Sequence, residues 1–115
     1  MDKIAQELAP GIVVKYRTDD DDNLGEYEPE TNTIWLSEQT LRSDPEVQRF
    51  VLLHELCHAL VTKQHDKAFY KVLTELIPEH NVSWLTAAKI EQIIPNSWYE
   101  NMTDDEKKVW SRIEG

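Results

Sequence analysis

The stretch FVLLHELCHALVTKQHDKAF, residues 50–69, sets three polar side chains, His54, Glu55 and His58, within an apolar run. At about 100° per residue, the two histidines lie along one stripe of a helix whose other faces are also largely apolar. Such a helix is expected at the centre of the fold, where polar groups without partners would cost several kcal/mol. The sequence therefore predicts a buried helix whose polar residues share one partner.

The five residues His54-Glu55-Leu56-Cys57-His58 have the HExxH spacing. Residues four apart on a helix have Cβ atoms ~5–6 Å apart, so both imidazoles can bind one Zn²⁺ at ~2.0–2.1 Å. Glu55 lies about a quarter-turn further round, where it reaches a water on the ion rather than the ion itself. Because zinc lowers the pKa of such a water to near 7, Glu55 is predicted to act as the general base and then to protonate the leaving amine.

A catalytic zinc needs a third protein ligand and an open position, and His65 is the predicted third ligand. On an unbroken helix His65 would lie ~10 Å beyond His58. It reaches the same ion only if the helix ends near residues 61–62 and the chain turns back. Asp66 then begins the next helix, and either caps it or holds the imidazole of His65.

Other candidate ligands remain open. Glu75 lies opposite the apolar face of its helix and is expected to face solvent, and His80 in the loop PEHN is expected at the surface. Cys57 is expected to pack as a small apolar residue. The acidic run at residues 19–22 lacks the glycine of an EF-hand loop and is expected to be a solvated loop, with a calcium site as the alternative.

Composition limits the class of protein. The chain has 115 residues, 40% of them hydrophobic, which is typical of one globular domain over residues 1–115. It has no apolar run near the ~20 residues that cross a bilayer, and its N-terminus does not resemble a signal peptide. The single cysteine, Cys57, favours a reducing compartment, so a cytoplasmic location is expected.

The formal net charge of −10 argues against binding to nucleic acids or anionic membranes. Such binding depends on Lys and Arg side chains, and here acidic residues outnumber basic ones 22 to 12. The acidic field instead favours cations and basic polypeptides. The expected partner is therefore a polypeptide substrate, basic or unstructured.

The pattern along the chain predicts an α+β fold. Alternating apolar residues predict short strands joined as an antiparallel meander, at residues 12–17, 24–28 and 33–37. Apolar periodicity and capping residues predict helices at residues 2–8, 47–61, 66–77, 83–94 and 103–113. The central helix is expected to start at residues 43–46, with Ser43 or Asp44 as its cap, Pro45 in the first turn and Glu46 three residues after Ser43. A second capping box is expected at Thr103–Glu106, and Ser83 is expected to cap the fourth helix. The small sheet is expected to pack on the central active-site helix, with residues 79–115 as a helical C-terminal extension.

The segment HELCHALVTKQHDKAFYKVL resembles the small zinc metallopeptidases of the SprT/Spartan-like, WLM and YgjP-like groups. In those groups HExxH is followed by a third His and then by an aromatic residue, as His65 and Phe69 follow here. The spacer between His58 and His65 has six residues, one more than in the WLM and YgjP-like patterns. The resemblance covers about residues 24–77 and implies a minimal zincin-like domain that binds one Zn²⁺.

The same resemblance implies that an extended peptide binds along an exposed edge strand, for which residues 33–37 are the candidate. A donor to the developing oxyanion is also needed, and Tyr70, Tyr99 and His80 remain open for that role. Two functions are weighed: a zinc-dependent endopeptidase, and a zinc-stabilised binding or regulatory domain without activity. Glu55 favours the endopeptidase, because holding the metal does not require it.

Overall fold

Three short strands and seven helices form the part of the chain that the computed structural model describes, residues 2–18 and 24–114. The strands are β1 (Val13–Arg17), β2 (Gly25–Glu28) and β3 (Thr33–Ser37). The helices are α1 (Asp2–Leu8), α2 (Glu38–Leu41), α3 (Pro45–Leu60), α4 (Lys67–Glu79), α5 (Trp84–Glu91), α6 (Asn96–Asn101) and α7 (Asp104–Glu114). A 3₁₀ turn at Pro29–Thr31 links β2 to β3. The α+β class predicted from the sequence is confirmed.

The sheet has the order β1-β3-β2, with β3 in the centre. β3 pairs parallel with β1 and antiparallel with β2, so the sheet is mixed and the predicted antiparallel meander is wrong. The residues of the strands account for this order. β3, TIWLS, is buried at four of its five positions, whereas β2, GEYE, carries two glutamates that suit an edge. The expectation that residues 33–37 form the edge strand is therefore also wrong.

Helix α3 lies between two apolar clusters, as its nearly continuous apolar surface predicts. Its Val51, Leu52 and Leu56 pack on the sheet side, against Ile34 and Leu36 of β3. Its other buried apolar side chains pack on the helical side, and the members of that cluster are Phe50, Leu53, Cys57, Phe69, Leu73, Leu76, Ile77, Val82, Ala87 and Trp98. The helix that carries the HExxH residues is thus held from both sides.

The helix starts agree with the sequence, and α3 begins at the predicted Pro45 with Asp44 at its N-cap position, although the Asp44 side chain makes no capping hydrogen bond. Ser83 accepts a hydrogen bond from the backbone N–H of Thr86, and the box of Thr103 and Glu106 is formed in both directions. The box predicted at Ser43 and Glu46 is wrong. Ser43 Oγ donates to the carbonyl of Gln39, because the unpredicted α2 precedes it, and Glu46 accepts from α5 instead.

The C-terminal region has more breaks than the periodicity predicts. The helix expected over residues 83–94 ends at Glu91, where Gln92 adopts a positive φ of 71°. The short helix α6 follows Pro95 and was not predicted. Within the described residues, no helix has the length and apolar character needed to cross a bilayer. The acidic run at residues 19–22 lies outside the described residues.

Candidate metal centre

The turn after α3 brings the third histidine back to the first two. α3 ends at Leu60, and the N–H of Val61 bonds to the carbonyl of Cys57. The next residues form a short turn in which the hydroxyl of Thr62 accepts from the N–H of Gln64 at 3.2 Å. Helix α4 then begins after Asp66, whose carboxylate accepts from the N–H of Phe69 at 3.0 Å. The predicted helix end and turn are confirmed, and Asp66 acts as the cap.

The imidazoles of His54, His58 and His65 meet at their Nε2 atoms. The Nε2 atom of His54 lies 3.2 Å from that of His58 and 3.2 Å from that of His65, and the latter two are 3.1 Å apart. Nitrogen ligands at ~2.0–2.1 Å from a tetrahedral ion lie about 3.3 Å from one another. The triangle therefore has the size of a metal site, and these three side chains form a cluster able to hold an ion.

The outer ring nitrogens indicate where the proton lies on two of the three rings. Nδ1 of His54 faces the carboxylate of Glu91, and Nδ1 of His58 lies 3.0 Å from the carbonyl oxygen of Thr62. Both partners are acceptors, so both Nδ1 atoms donate. Because a neutral imidazole has one donor and one acceptor nitrogen, the two Nε2 atoms point lone pairs at one place. Facing lone pairs repel unless a cation lies between them, so the cluster fits a metal ion.

The ring of Phe69 packs against all three imidazoles. It is fully buried, and its ring centroid lies 5.1 Å from that of His54, 4.7 Å from that of His58 and 5.0 Å from that of His65. These tilted and edge-to-face contacts limit the rotation of each imidazole. The aromatic residue four positions after the third histidine therefore has a packing role at the site.

Glu91 joins the site from α5 and was not identified from the sequence. Its side chain is 7% exposed, and its two oxygens contact Nδ1 of His54 and the hydroxyl of Tyr70. Burial lowers the pKa of His54, but the hydrogen bond and the charge of Glu91 outweigh burial and raise it overall. Only its place at the end of an amphipathic helix could have drawn attention to Glu91, and that signal is weak.

Glu55 is also a buried acidic residue, and it lies where β2 meets α3. Burial raises its pKa to about 7, against the lowering effects of His54 and of a backbone hydrogen bond from Tyr27. Gly25 permits this close approach, because a Cβ there would lie 2.9 Å from Cγ1 of Val51 and 3.1 Å from Cγ of Glu55. The strand thus contacts the carboxylate directly.

An open cavity of about 680 Å³ gives access to these groups. Its floor holds the three histidines and Glu55. Its wall is β2 and the following turn, residues 25–30, and Lys63 lies at its rim. A ligand in this cavity would contact the histidine cluster, the carboxylate and the outer edge of β2 together.

The other candidate residues lie elsewhere. Glu75 is exposed on α4, and His80 ends α4, where its carbonyl accepts from Arg49. Neither belongs to the histidine cluster. Cys57 is buried in the helical core, and burial raises the pKa of its thiol to about 12, which agrees with a packing role. Tyr99 lies on α6 under the ammonium of Lys107.

Two histidines on the HExxH helix and a third in the turn after it, beside a small sheet with an acidic edge strand, are the arrangement of a zincin-like metallopeptidase domain. Residues 18–86 match the YgjP-like metallopeptidase domain family, which is more than half of the chain. The chain therefore belongs to that family, and the resemblance seen in its HExxH segment is confirmed.

A solved structure shares the fold. It is the crystal structure of the metallopeptidase zymogen abylysin from Pyrococcus abyssi, with a TM-score of 0.57 and 22% sequence identity. The match covers 66% of this chain and 75% of that one. At this identity the likeness concerns the fold alone. A comparison with curated proteins found no match.

Proposed function

We propose that this protein is a zinc-dependent endopeptidase in which His54, His58 and His65 hold one Zn²⁺ and Glu55 is the general acid/base. The observation that carries the proposal is the convergence of three Nε2 atoms within 3.1–3.2 Å beside a buried carboxylate. Three imidazoles with a fourth position open to a cavity are a ligand set typical of catalytic zinc. When bound, the ion supplies a Lewis acid that polarises a carbonyl and acidifies water.

Glu55 is suited to proton transfer because its environment opposes its charge. Its carboxylate is buried, and its pKa is raised to about 7 chiefly by that burial. A carboxylate of this kind takes a proton readily near neutral pH and releases it as readily. Glu55 would accept the proton of the attacking water at a carboxylate oxygen and pass it to the nitrogen of the leaving amine.

The outer edge of β2 is the proposed binding surface for the substrate. β2 is an edge strand of the sheet and forms the wall of the cavity next to the histidines. An extended polypeptide can add to such an edge through backbone hydrogen bonds, which give affinity without strong sequence selectivity. Pairing there would lay a peptide bond across the floor of the cavity, so the proposed substrates are polypeptides in extended or unstructured segments.

The charge around the cavity favours basic substrates. Glu26, Glu28 and Glu30 line its wall, while Lys63 is the one Lys or Arg among the described residues that line it. Arg17 offsets part of this charge through its ion pair with Glu26. We expect peptides with Lys or Arg beside the cleaved bond to be cut several-fold faster than matched peptides with Glu, and more so at low salt. Initial rates on such a peptide pair measure this.

We also propose three further properties from the length and composition of the chain. Residues 1–115 are proposed to form one zincin-like domain, in which residues 79–115 are a helical C-terminal extension. The single buried cysteine supports a cytoplasmic location. The excess of acidic residues supports the absence of direct nucleic-acid and membrane binding.

Glu55→Gln tests the proposed chemistry, because the amide keeps the shape of the side chain but cannot take up a proton. Cleavage of a disordered protein such as casein should fall by ~10²–10⁴-fold, while the zinc content stays at one ion per chain. Glu75→Gln, at an exposed position of α4, is the matched control and should cleave like wild type. Cleavage at the wild-type rate by Glu55→Gln would contradict the assignment.

The alternative function, a zinc-stabilised binding domain without activity, makes a different prediction in the same assay. Wild type would then hold zinc and gain thermal stability from it, yet cleave no protein substrate. The buried Glu55 beside the cavity disfavours this alternative, because burying a carboxylate costs stability and holding the metal does not require one.

A further inference from the structure

Helix α5 contacts the histidine cluster through one side chain, that of Glu91. This residue is the last of α5, 37 positions along the chain from His54. Its side chain is 7% exposed, and a carboxylate this buried destabilises a fold unless it is paired and hydrogen-bonded. Both of its oxygens are occupied, which indicates a defined position rather than a chance contact.

The first oxygen of Glu91 determines the proton position and the orientation of the His54 ring. Oε1 accepts a hydrogen bond from Nδ1 of His54, so the proton of that ring lies on its outer side. The lone pair of Nε2 then points toward His58 and His65, where it can bind a metal. A carboxylate partner on the outer nitrogen also fixes the ring plane and makes the imidazole a better ligand.

The second oxygen of Glu91 holds a side chain from another helix. Oε2 accepts from the hydroxyl of Tyr70 on α4 at 3.2 Å. The ring of Tyr70 stands edge-on to Phe69, with centroids 5.2 Å apart, and Phe69 supports the three imidazoles. Glu91 therefore ties α3, α4 and α5 together at one point beside the cluster.

Contacts at the first residues of α5 hold this helix against α3. Glu46, two turns before His54 on α3, accepts hydrogen bonds from the N–H of Ser83 at 3.0 Å and from the hydroxyl of Thr86. The start of α5 is thus fastened to the start of α3. With that end fixed, the last turn of α5 brings Glu91 against His54.

We propose that Glu91 is a positioning residue that fixes the tautomer and the ring plane of His54, which makes α5 a structural part of the metal site. This inference rests on the metal role proposed above for the three histidines. Glu91 itself is not a metal ligand in this arrangement, because it contacts the outer nitrogen of His54, on the opposite side of the ring from the Nε2 triangle.

Zinc affinity, measured by competition with a chromophoric chelator, tests the proposal without relying on activity. Glu91→Ala should raise the Kd for zinc by about 10–100-fold, and Glu91→Gln by a smaller factor, since the amide oxygen can still accept from His54. Tyr70→Phe keeps the ring, whose centroid lies 6.3 Å from that of His65, and removes only the hydroxyl that donates to Glu91, so it should weaken zinc binding by less than Glu91→Ala does. Glu75→Gln is the matched surface control.

Two further readouts separate positioning from a merely structural role. The visible spectrum of the Co²⁺-substituted protein should change in Glu91→Ala and stay unchanged in the surface control Glu75→Gln. A structural role would instead lower the melting temperature of the metal-free protein and leave both the zinc Kd and the Co²⁺ spectrum as in wild type. That result overturns the inference while leaving the proposed function intact. Failure of wild type to bind zinc at all would overturn both.

Discussion

Two regions of the chain form the candidate metal site, and they differ in the sequence separation between the residues that come into contact. The segment from α3 to the start of α4 supplies all three imidazoles, with His54 and His65 only 11 positions apart. Helix α5 supplies one carboxylate, Glu91, from 37 positions away. The positions of the imidazoles in the first region follow from the geometry of one helix and the turn after it. The second depends on how α5 packs, so it becomes visible only in the folded chain.

The largest effect is expected in the local region, from His65→Ala. Loss of a ligand should weaken zinc binding by more than the ~10–100-fold expected for an outer partner such as Glu91. The metal-free protein should keep its melting temperature, since His65 is exposed. Isothermal titration with zinc and thermal unfolding of the metal-free protein measure the two quantities.

His80→Ala is the control for this prediction, because His80 lies outside the histidine cluster. It should bind zinc as tightly as wild type does. If His65→Ala keeps its zinc affinity while His80→Ala or Glu75→Ala loses it, then the ligand set is wrong, and with it the claim that the local segment suffices to bind the metal.

Disrupting a second long-range contact, the one between β2 and α3, is expected to have an intermediate effect on stability and cleavage. Gly25→Val adds atoms where even a Cβ would lie 2.9 Å from Val51, so β2 must move away from α3. Overpacking of this kind costs ~1–3 kcal/mol of unfolding free energy. We expect lower stability in urea and slower cleavage with little change in zinc affinity, because the backbone of β2 bonds to Glu55, whereas the three histidines lie on α3 and in the turn after it. A variant as stable and active as wild type would contradict the proposed role of this contact.

The smallest effects are expected from removing the helix caps, one in each region, and they allow the two regions to be compared directly. Asp66 caps α4 beside His65, and Ser83 caps α5 at its far end from Glu91. Replacing either by Ala removes one capping hydrogen bond and should cost ~0.5–2 kcal/mol of unfolding free energy. Asp66→Ala should also weaken zinc binding, because it loosens the turn that carries a ligand. If Ser83→Ala weakens zinc binding more than Asp66→Ala does, then the remote helix matters more than the local turn.

The same division explains what the sequence could predict. The bounds of all three strands and the HExxH helix agree with the alternation and periodicity to within two residues, because these patterns are local. The turn that returns His65 to the cluster was also predictable, since three imidazoles can share one ion only if the helix ends before it. These features need no knowledge of distant contacts.

The order of the strands and the role of Glu91 were not predictable in this way. Consecutive strands usually pair, yet β1 pairs with β3, and only the acidic character of β2 marks it as an edge. Glu91 is one of 22 acidic residues in the chain, and nothing local distinguishes it from the others. Its burial results from the attachment of α5 to α3 at Glu46, which is a tertiary contact.

The central claim is that three imidazoles gather around one divalent ion. Crystals of the protein purified with zinc, with diffraction data collected on either side of the zinc absorption edge, test it most directly. We predict one anomalous peak per chain at ~2.0–2.1 Å from Nε2 of His54, His58 and His65. A map with no such peak, in which the three rings turn apart and each bonds to its own carbonyl, would contradict it.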